Sequence, residues 1–314
     1  MDPNICQHPK PKRTTLSLEC FKIVNFFQFR LDFERFVVAG PSTSTSQSLR
    51  ILNGAVSSSS FAPFANTASQ CLTDSFAVTN PGGPSPPVLC GTNSGEHIYL
   101  DASPSCNDLV FQFGGTSSGA SFANRDWFIK IIQISCDDPD LPPQGCTQYF
   151  TGSSGIVRTL NYNEGNGQHL ANQNQLICVR RESENCRICW FTNDFERDFA
   201  VSGTKRANAF VKTSQGCCGY GANGLAMNGF DCLVIPGAVK SVSNVGVRSQ
   251  ICGRMGLATQ TNGLAKSICS TLEPYSIRFL SDNFEFADDA NPNVEASTVD
   301  RGFQLQFVQD NNIC

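Results

Sequence analysis

Apolar and polar residues alternate in short runs along most of this chain. The last forty residues or so show the pattern best. Tyr275-Ser276-Ile277-Arg278-Phe279-Leu280 leads into a polar, acidic loop through Asp300. The chain returns as Gly302-Phe303-Gln304-Leu305-Gln306-Phe307-Val308, with Phe303, Leu305 and Phe307 on one face. Two strands with one buried face each are predicted, joined as an antiparallel closing pair. Upstream, Phe27, Phe29, Leu31 and Phe33 alternate in the same way, as do Leu109 to Phe113 and Asp126 to Ile134. Cys71 to Val78, Val88 to Gly91, His97 to Leu100, Leu176 to Val179, Ile188 to Phe191, Cys232 to Ile235 and Ser249 to Gly253 read as further strands. No long stretch carries a 3.6-residue period, so the fold class is all-β, and short strands between turn signals indicate a sandwich.

The pattern also repeats. Asp32-Phe33-Glu34-Arg35 recurs as Asp194-Phe195-Glu196-Arg197, and Cys90-Gly91 recurs as Cys252-Gly253, both at an offset of 162 (194 − 32 and 252 − 90). Two equal offsets in matching order argue for duplication of one all-β domain. The acidic, Pro-rich run Asp137 to Gly145 is the best linker. The expected organisation is an irregular segment over 1–19, a first domain over 20–136, a linker over 137–145 and a second domain over 146–314.

Composition narrows the class. Charged residues are 16% of the chain and the formal net charge is −4, with no basic tract, so a nucleic-acid surface is not expected. No apolar run approaches a membrane span. The 24 Phe fall largely in alternating runs and read as sheet core. Sixteen Cys is an even, high count, which implies disulfides and an oxidising compartment. Zinc is the rival reading, but Cys186-Arg187-Ile188-Cys189 is the only C-x-x-C, and His8, His97 and His169 lie far apart in sequence. Met1-Asp2-Pro3-Asn4 opens no signal peptide, so the sequence is expected to start downstream of its leader. No N-x-S/T acceptor occurs, and N-glycosylation is not expected.

Cys146 to Gly155 followed by Asn161-Tyr162-Asn163, then His169 to Asn174, Ile177 to Glu182, Pro274 to Asp282 and Gly302-Phe303, resemble a CUB domain as found in secreted arthropod proteins that carry two of them. Arg30 to Phe33, Cys71-x-x-Asp74-x-Phe76, Cys90-Gly91 and Trp127-x-Ile129-Lys130 are similar in the first half. The resemblance covers roughly 20–314. It implies two consecutive antiparallel, jelly-roll-like β-sandwiches, disulfide-rich and extracellular, that bind protein partners (or glycans) and are not enzymes. It also implies bridges Cys71–Cys90 and Cys146–Cys178, with Cys252 pairing to Cys217, Cys218 or Cys232. The alternatives are the non-catalytic arm of a secreted serine protease and a structural matrix or cuticle component.

Many CUB domains bind calcium through an upstream Tyr, a Glu and two Asp, because a hard cation needs several converging oxygens. The second half retains Asp231 and Asp282, but Ser202 stands at the Glu position; the first half retains Asp74 and has Ala39-Gly40 there. Two carboxylates instead of three imply weak calcium binding or none, and no other cofactor is expected. Gly115-Thr116-Ser117-Ser118-Gly119 matches G-x-S-x-G, yet no helix follows to make a nucleophile elbow, and a triad would need His97 or His169, each near a strand end. The loop from Phe284 to Asp300, with Glu285, Asp288 and Asp289, is the expected contact surface for a basic group or a cation, and Tyr220 to Phe230 is a second candidate loop.

Overall fold

The computed structural model describes residues 14–17, 26–42, 69–103, 107–114, 124–194, 197–201, 212–213, 218, 231–241, 245–247, 249–252, 267–281 and 301–312. These residues are all-β apart from one short 3-10 turn at Asn163–Gly165. No helix among them is long and apolar enough to cross a membrane.

Six strands occupy the N-terminal half: β1 (Thr14–Ser17), β2 (Phe26–Val37), β3 (Asp74–Thr79), β4 (His97–Asp101), β5 (Asp108–Phe113) and β6 (Asp126–Ser135). They form two three-stranded antiparallel sheets, in the orders β1-β5-β3 and β4-β2-β6. The inward residues of both sheets meet in one core. Phe33, Phe36, Phe76 and Phe111 sit there with ring centroids 4.8 to 6.0 Å apart. Burying a ring of this size contributes roughly 1.5–3 kcal/mol, which is what the run of phenylalanines in β2 supplies.

Twelve strands follow: β7 (Gln148–Phe150), β8 (Ser154–Arg158), β9 (Asn174–Val179), β10 (Arg187–Phe191), β11 (Phe199–Ala200), β12 (Lys212–Thr213), β13 (Cys232–Val234), β14 (Val239–Lys240), β15 (Gln250–Cys252), β16 (Ser267–Ser270), β17 (Ser276–Leu280) and β18 (Gly302–Asp310). One six-stranded sheet runs β12-β15-β13-β17-β9-β7, with β7 parallel to β9. The other runs β11-β18-β10-β16-β14, and β8 covers the far side of β18. Trp190, Phe199, Tyr275, Phe279, Phe303, Leu305 and Phe307 pack between the two sheets.

The expected closing pair is corrected here. β17 and β18 are both strands, but they do not pair. β17 hydrogen-bonds to β9 and β13, while β18 hydrogen-bonds to β8, β10 and β11. They face each other across the core, where Phe279 and Phe303 meet edge to face at 5.6 Å. β5 and β6 divide between sheets in the same way. Alternation tells which side of a strand is apolar; both members of such a pair present that side to the same core from opposite sheets.

Disulfides join Cys71 to Cys90, Cys146 to Cys178, Cys189 to Cys269 and Cys218 to Cys232. Cys186 and Cys252 are also disulfide-bonded. Since Cys218 and Cys232 bond to each other, neither is the partner of Cys252. With Cys189 and Cys186 both in disulfides, the C-x-x-C run is not a thiolate pair.

The halves share a seam. Leu160 and Leu170 complete the first core. The Asn161 side-chain oxygen accepts the Thr92 N–H at 2.8 Å, and the Asn161 backbone N–H donates to Asn93 Oδ1 at 2.7 Å. Tyr99 N–H donates to the Thr147 carbonyl at 2.8 Å, and His97 Nε2 lies 3.0 Å from the Tyr149 carbonyl. Half-buried Glu96 accepts from Gln148 at 3.3 Å and faces Arg158 at 3.6 Å.

Candidate functional site

An interruption in the β10–β18 ladder builds a cleft among the described residues. Phe191 pairs with Gln306, and the next paired residue is Phe199, opposite Phe303. The chain between Phe191 and Phe199 therefore leaves the ladder opposite only Gln304 and Leu305, and residues 192–194 and 197–198 are the described part of this excursion. In the first half a smaller register shift lies between Phe33 and Arg35 on β2. Asp194 and Arg197 lie in this excursion, and the register shift on β2 falls within the matching Asp32-Phe33-Glu34-Arg35 run; such irregularities re-aim side chains. In the second half the excursion opens a cleft of about 260 Å³ lined by Tyr162, Glu164, Asn193, Asp194, Arg197, Asp198 and Gln304.

Asp198 holds the excursion in place. Its Oδ2 accepts the backbone N–H groups of Asn193 (2.8 Å) and Asp194 (2.6 Å). Its Oδ1 lies 3.3 Å from the Tyr162 hydroxyl and 3.4 Å from Gln304 Nε2. The carboxylate is buried, so these donors replace the water it has lost. The Tyr162 hydroxyl also reaches the Arg197 carbonyl at 3.1 Å. Burial, reinforced by the neighbouring Asp198 charge, raises the Tyr162 pKa, so the phenol stays protonated and acts as a donor.

The rim is charged. The Arg197 side chain donates to the Glu164 carbonyl at 2.9 Å, and its backbone N–H donates to Asp194 Oδ1 at 3.2 Å. Glu164 sits at a φ of +54° in the 3-10 turn and is exposed, with Arg158 3.6 Å from its carboxylate. A cleft with two carboxylates, one guanidinium and amide groups at its rim can orient a polar, charged segment of a ligand. It holds no Ser, Cys or His, so it offers no nucleophile–base pair among its lining residues.

Of the residues singled out from the sequence, those that are described lie outside this cleft. Asp231 is buried 3.3 Å from His169 Nε2, and His169 packs edge-on against Phe279 at 5.7 Å. Asp282 and Ser202 lie outside the described residues, as do Glu285, Asp288, Asp289 and the Tyr220 to Phe230 loop. Among the described residues no three His, Cys, Asp or Glu side chains come together to hold a metal ion. Asp74 is committed to Arg125, which meets both its oxygens at 2.8 Å, and to the N–H groups of Ala39 and Gly114. Both Asp74 oxygens are thereby engaged in a bidentate ion pair. His97 and His169 are both buried, His97 in the seam between the halves.

Tyr162, Asp198 and Gln304 went unrecognised as a site. Tyr162 was legible as part of Asn161-Tyr162-Asn163, and Asp194 to Arg197 as an echo. Nothing in local sequence joins them to Gln304, more than a hundred residues away.

The family model for the animal CUB domain matches residues 143–310. No curated protein matches the chain. Among solved structures, the CUB1-EGF-CUB2 domain of human MASP-1/3 is similar at 12% identity, covering 98% of this chain and 96% of that one, with a TM-score of 0.29. The CUB1-EGF-CUB2 domains of rat MASP-1 match at 14% identity over 98% and 94%, with a TM-score of 0.28.

Proposed function

The chain belongs to the animal CUB domain family, and from that premise we propose that it is an extracellular, non-enzymatic binding protein made of two CUB modules. Its ligand is a protein segment, received at the cleft that the 192–198 excursion opens in the second module. The observation that carries this reading is the cleft itself. A buried carboxylate, Asp198, fixes the backbone of the excursion, while Glu164, Asp194 and Arg197 are left at its rim. Rigid support beneath and charge of both signs above suit recognition better than chemistry. Disulfides across and beside the sheets support the extracellular assignment.

The test is affinity capture of secreted proteins from extracellular fluid on the immobilised, oxidised chain, with and without calcium. Wild type and the double variant Glu164→Lys/Asp194→Lys are compared. The expected result is a defined set of proteins that wild type retains and the variant loses. Equal capture by both, or turnover of a captured protein by the purified chain, overturns the reading.

A further inference from the structure

Among the described residues, one sheet of the first half ends in a strand with no neighbour on its outer side. In the second half β18 lies between β10 on one side and β8 on the other, and its inward residues Phe303, Leu305 and Phe307 are no more than 1% exposed. The strand in the same place in the first half is β6, beside β2. Beyond β6 no described strand lies. Its inward residues Trp127, Ile129 and Ile131 pack on the core but are only partly buried. Trp127 stacks on Phe111 and Phe113 at 4.9 and 5.1 Å, so these side chains do face the core. What they lack is the cover that Val157 of β8 helps to give β18.

The outer face of β6 is apolar as well, with Phe128 and Ile132 half-buried. Ten residues of strand with no Pro, two charges and a row of backbone N–H and C=O groups along one side make a template for another strand. Single-chain proteins shield such edges with charge, proline or a bulge; β6 has only Asp126 and Lys130.

We propose that a second copy of this chain closes the edge, β6 pairing antiparallel with β6 about a two-fold axis at Phe128. The charges choose the partner and the register. With Phe128 opposite its symmetry mate, Asp126 of each copy stands opposite Lys130 of the other, and Trp127 stands opposite Ile129. Residues directly opposite share a face, so the apolar pair lies over the cores and the charged pairs lie outside. A two-fold centred on Lys130 would set the two lysines against each other. Centring on Ile129 or Ile131 would leave both charges opposite apolar residues. The product is a continuous six-stranded sheet, β4-β2-β6-β6-β2-β4, in which one contact closes both open edges at once.

Sedimentation of the full oxidised chain over a range of concentrations, with hydrogen exchange of the β6 amides, tests this. Wild type is expected to dimerise, and the amides of 127–131 to slow as dimer forms. Lys130→Glu and Asp126→Lys each place like charges opposite twice, and should each weaken self-association by about tenfold or more. Mixing the two variants restores opposite charges at both positions and should restore a mixed dimer. Both substituted residues are exposed, so folding is retained, which thermal unfolding verifies; the Arg35–Asp126 pair that Asp126→Lys removes is solvent-exposed on both sides. A chain that stays monomeric overturns the proposal. So does a dimer indifferent to both charge reversals, or β6 amides already protected at monomer concentrations, which would mean that a segment of the same chain covers the edge.

Discussion

Asp198 should be worth more to this fold through what it accepts than through its charge. Replacing it with Ala removes the acceptor for two backbone N–H groups, at 2.8 and 2.6 Å, and for the Tyr162 hydroxyl at 3.3 Å. Each buried donor left without a partner costs about 1–3 kcal/mol. The hydroxyl retains the Arg197 carbonyl, and the cleft admits water to part of the loop. The expected loss is therefore about 3 kcal/mol, toward the lower end of the sum. At roughly 2–4 °C per kcal/mol for a domain of this size, the melting transition falls by about 6–12 °C. Asp198→Asn should behave differently. Its remaining oxygen can keep both backbone N–H groups, and its new N–H₂ can donate to the Tyr162 oxygen, which still donates to Arg197. Only the bond from Gln304 and the charge assistance are lost, at about 1 kcal/mol. Calorimetry of the three oxidised proteins decides. If Ala melts within a degree or two of wild type, or Asn is as damaging as Ala, the carboxylate does not hold the 192–198 excursion as described.

Three further outcomes follow from the seam and the first core. Burial lowers the His97 pKa to about 4, with Arg30 adding to the effect, so the unfolded chain takes up the proton first. That contribution is fully present above about pH 6.5 and is lost as pH falls from there to about 4, by about 3 kcal/mol in total. Burial raises the pKa of neighbouring Glu96, which acts in the opposite sense and stabilises on acidification. His97→Gln should therefore reduce the acid-side loss in a melting series from pH 7 to 4; an unchanged pH profile would contradict the assignment. Gly91→Ala should destabilise by at least 1–2 kcal/mol, since Gly91 has a φ of +77° and an added Cβ would fall 2.1 Å from Asn161 Oδ1; a wild-type urea midpoint would mean that the halves do not meet there. Arg125→Met leaves the buried Asp74 carboxylate without its cation and should cost about 3–5 kcal/mol, read as a lowered melting temperature, while the double variant with Asp74→Asn recovers part of the loss.

Much of the architecture was written in local pattern. Alternation at 27–33, 109–113, 126–134, 276–280 and 302–308 marked strands, because a period of two is the only way a strand can bury one face. The cysteine count pointed to disulfides, and the motifs around Cys146, Asn161, His169 and Gly302 to the family that matches residues 143–310.

Neighbour relations were not legible. Local pattern shows which side of β17 and β18 is apolar and not that the two lie in opposite sheets, since pairing is decided by what else competes for each edge. The cleft needs Tyr162, Asp198 and Gln304 together, and their meeting depends on how far 192–198 departs from β18. Asp74 stood in the sequence only as one retained carboxylate of an incomplete calcium set; tertiary packing brought Arg125 to it, and a buried carboxylate needs such a partner. Sequence alone determined that this chain makes strands, where their apolar faces lie and which cysteines are available to tie them. Only the tertiary structure decided which strands are neighbours and which carboxylate is spent on holding a loop, because those outcomes rest on contacts between residues far apart along the chain.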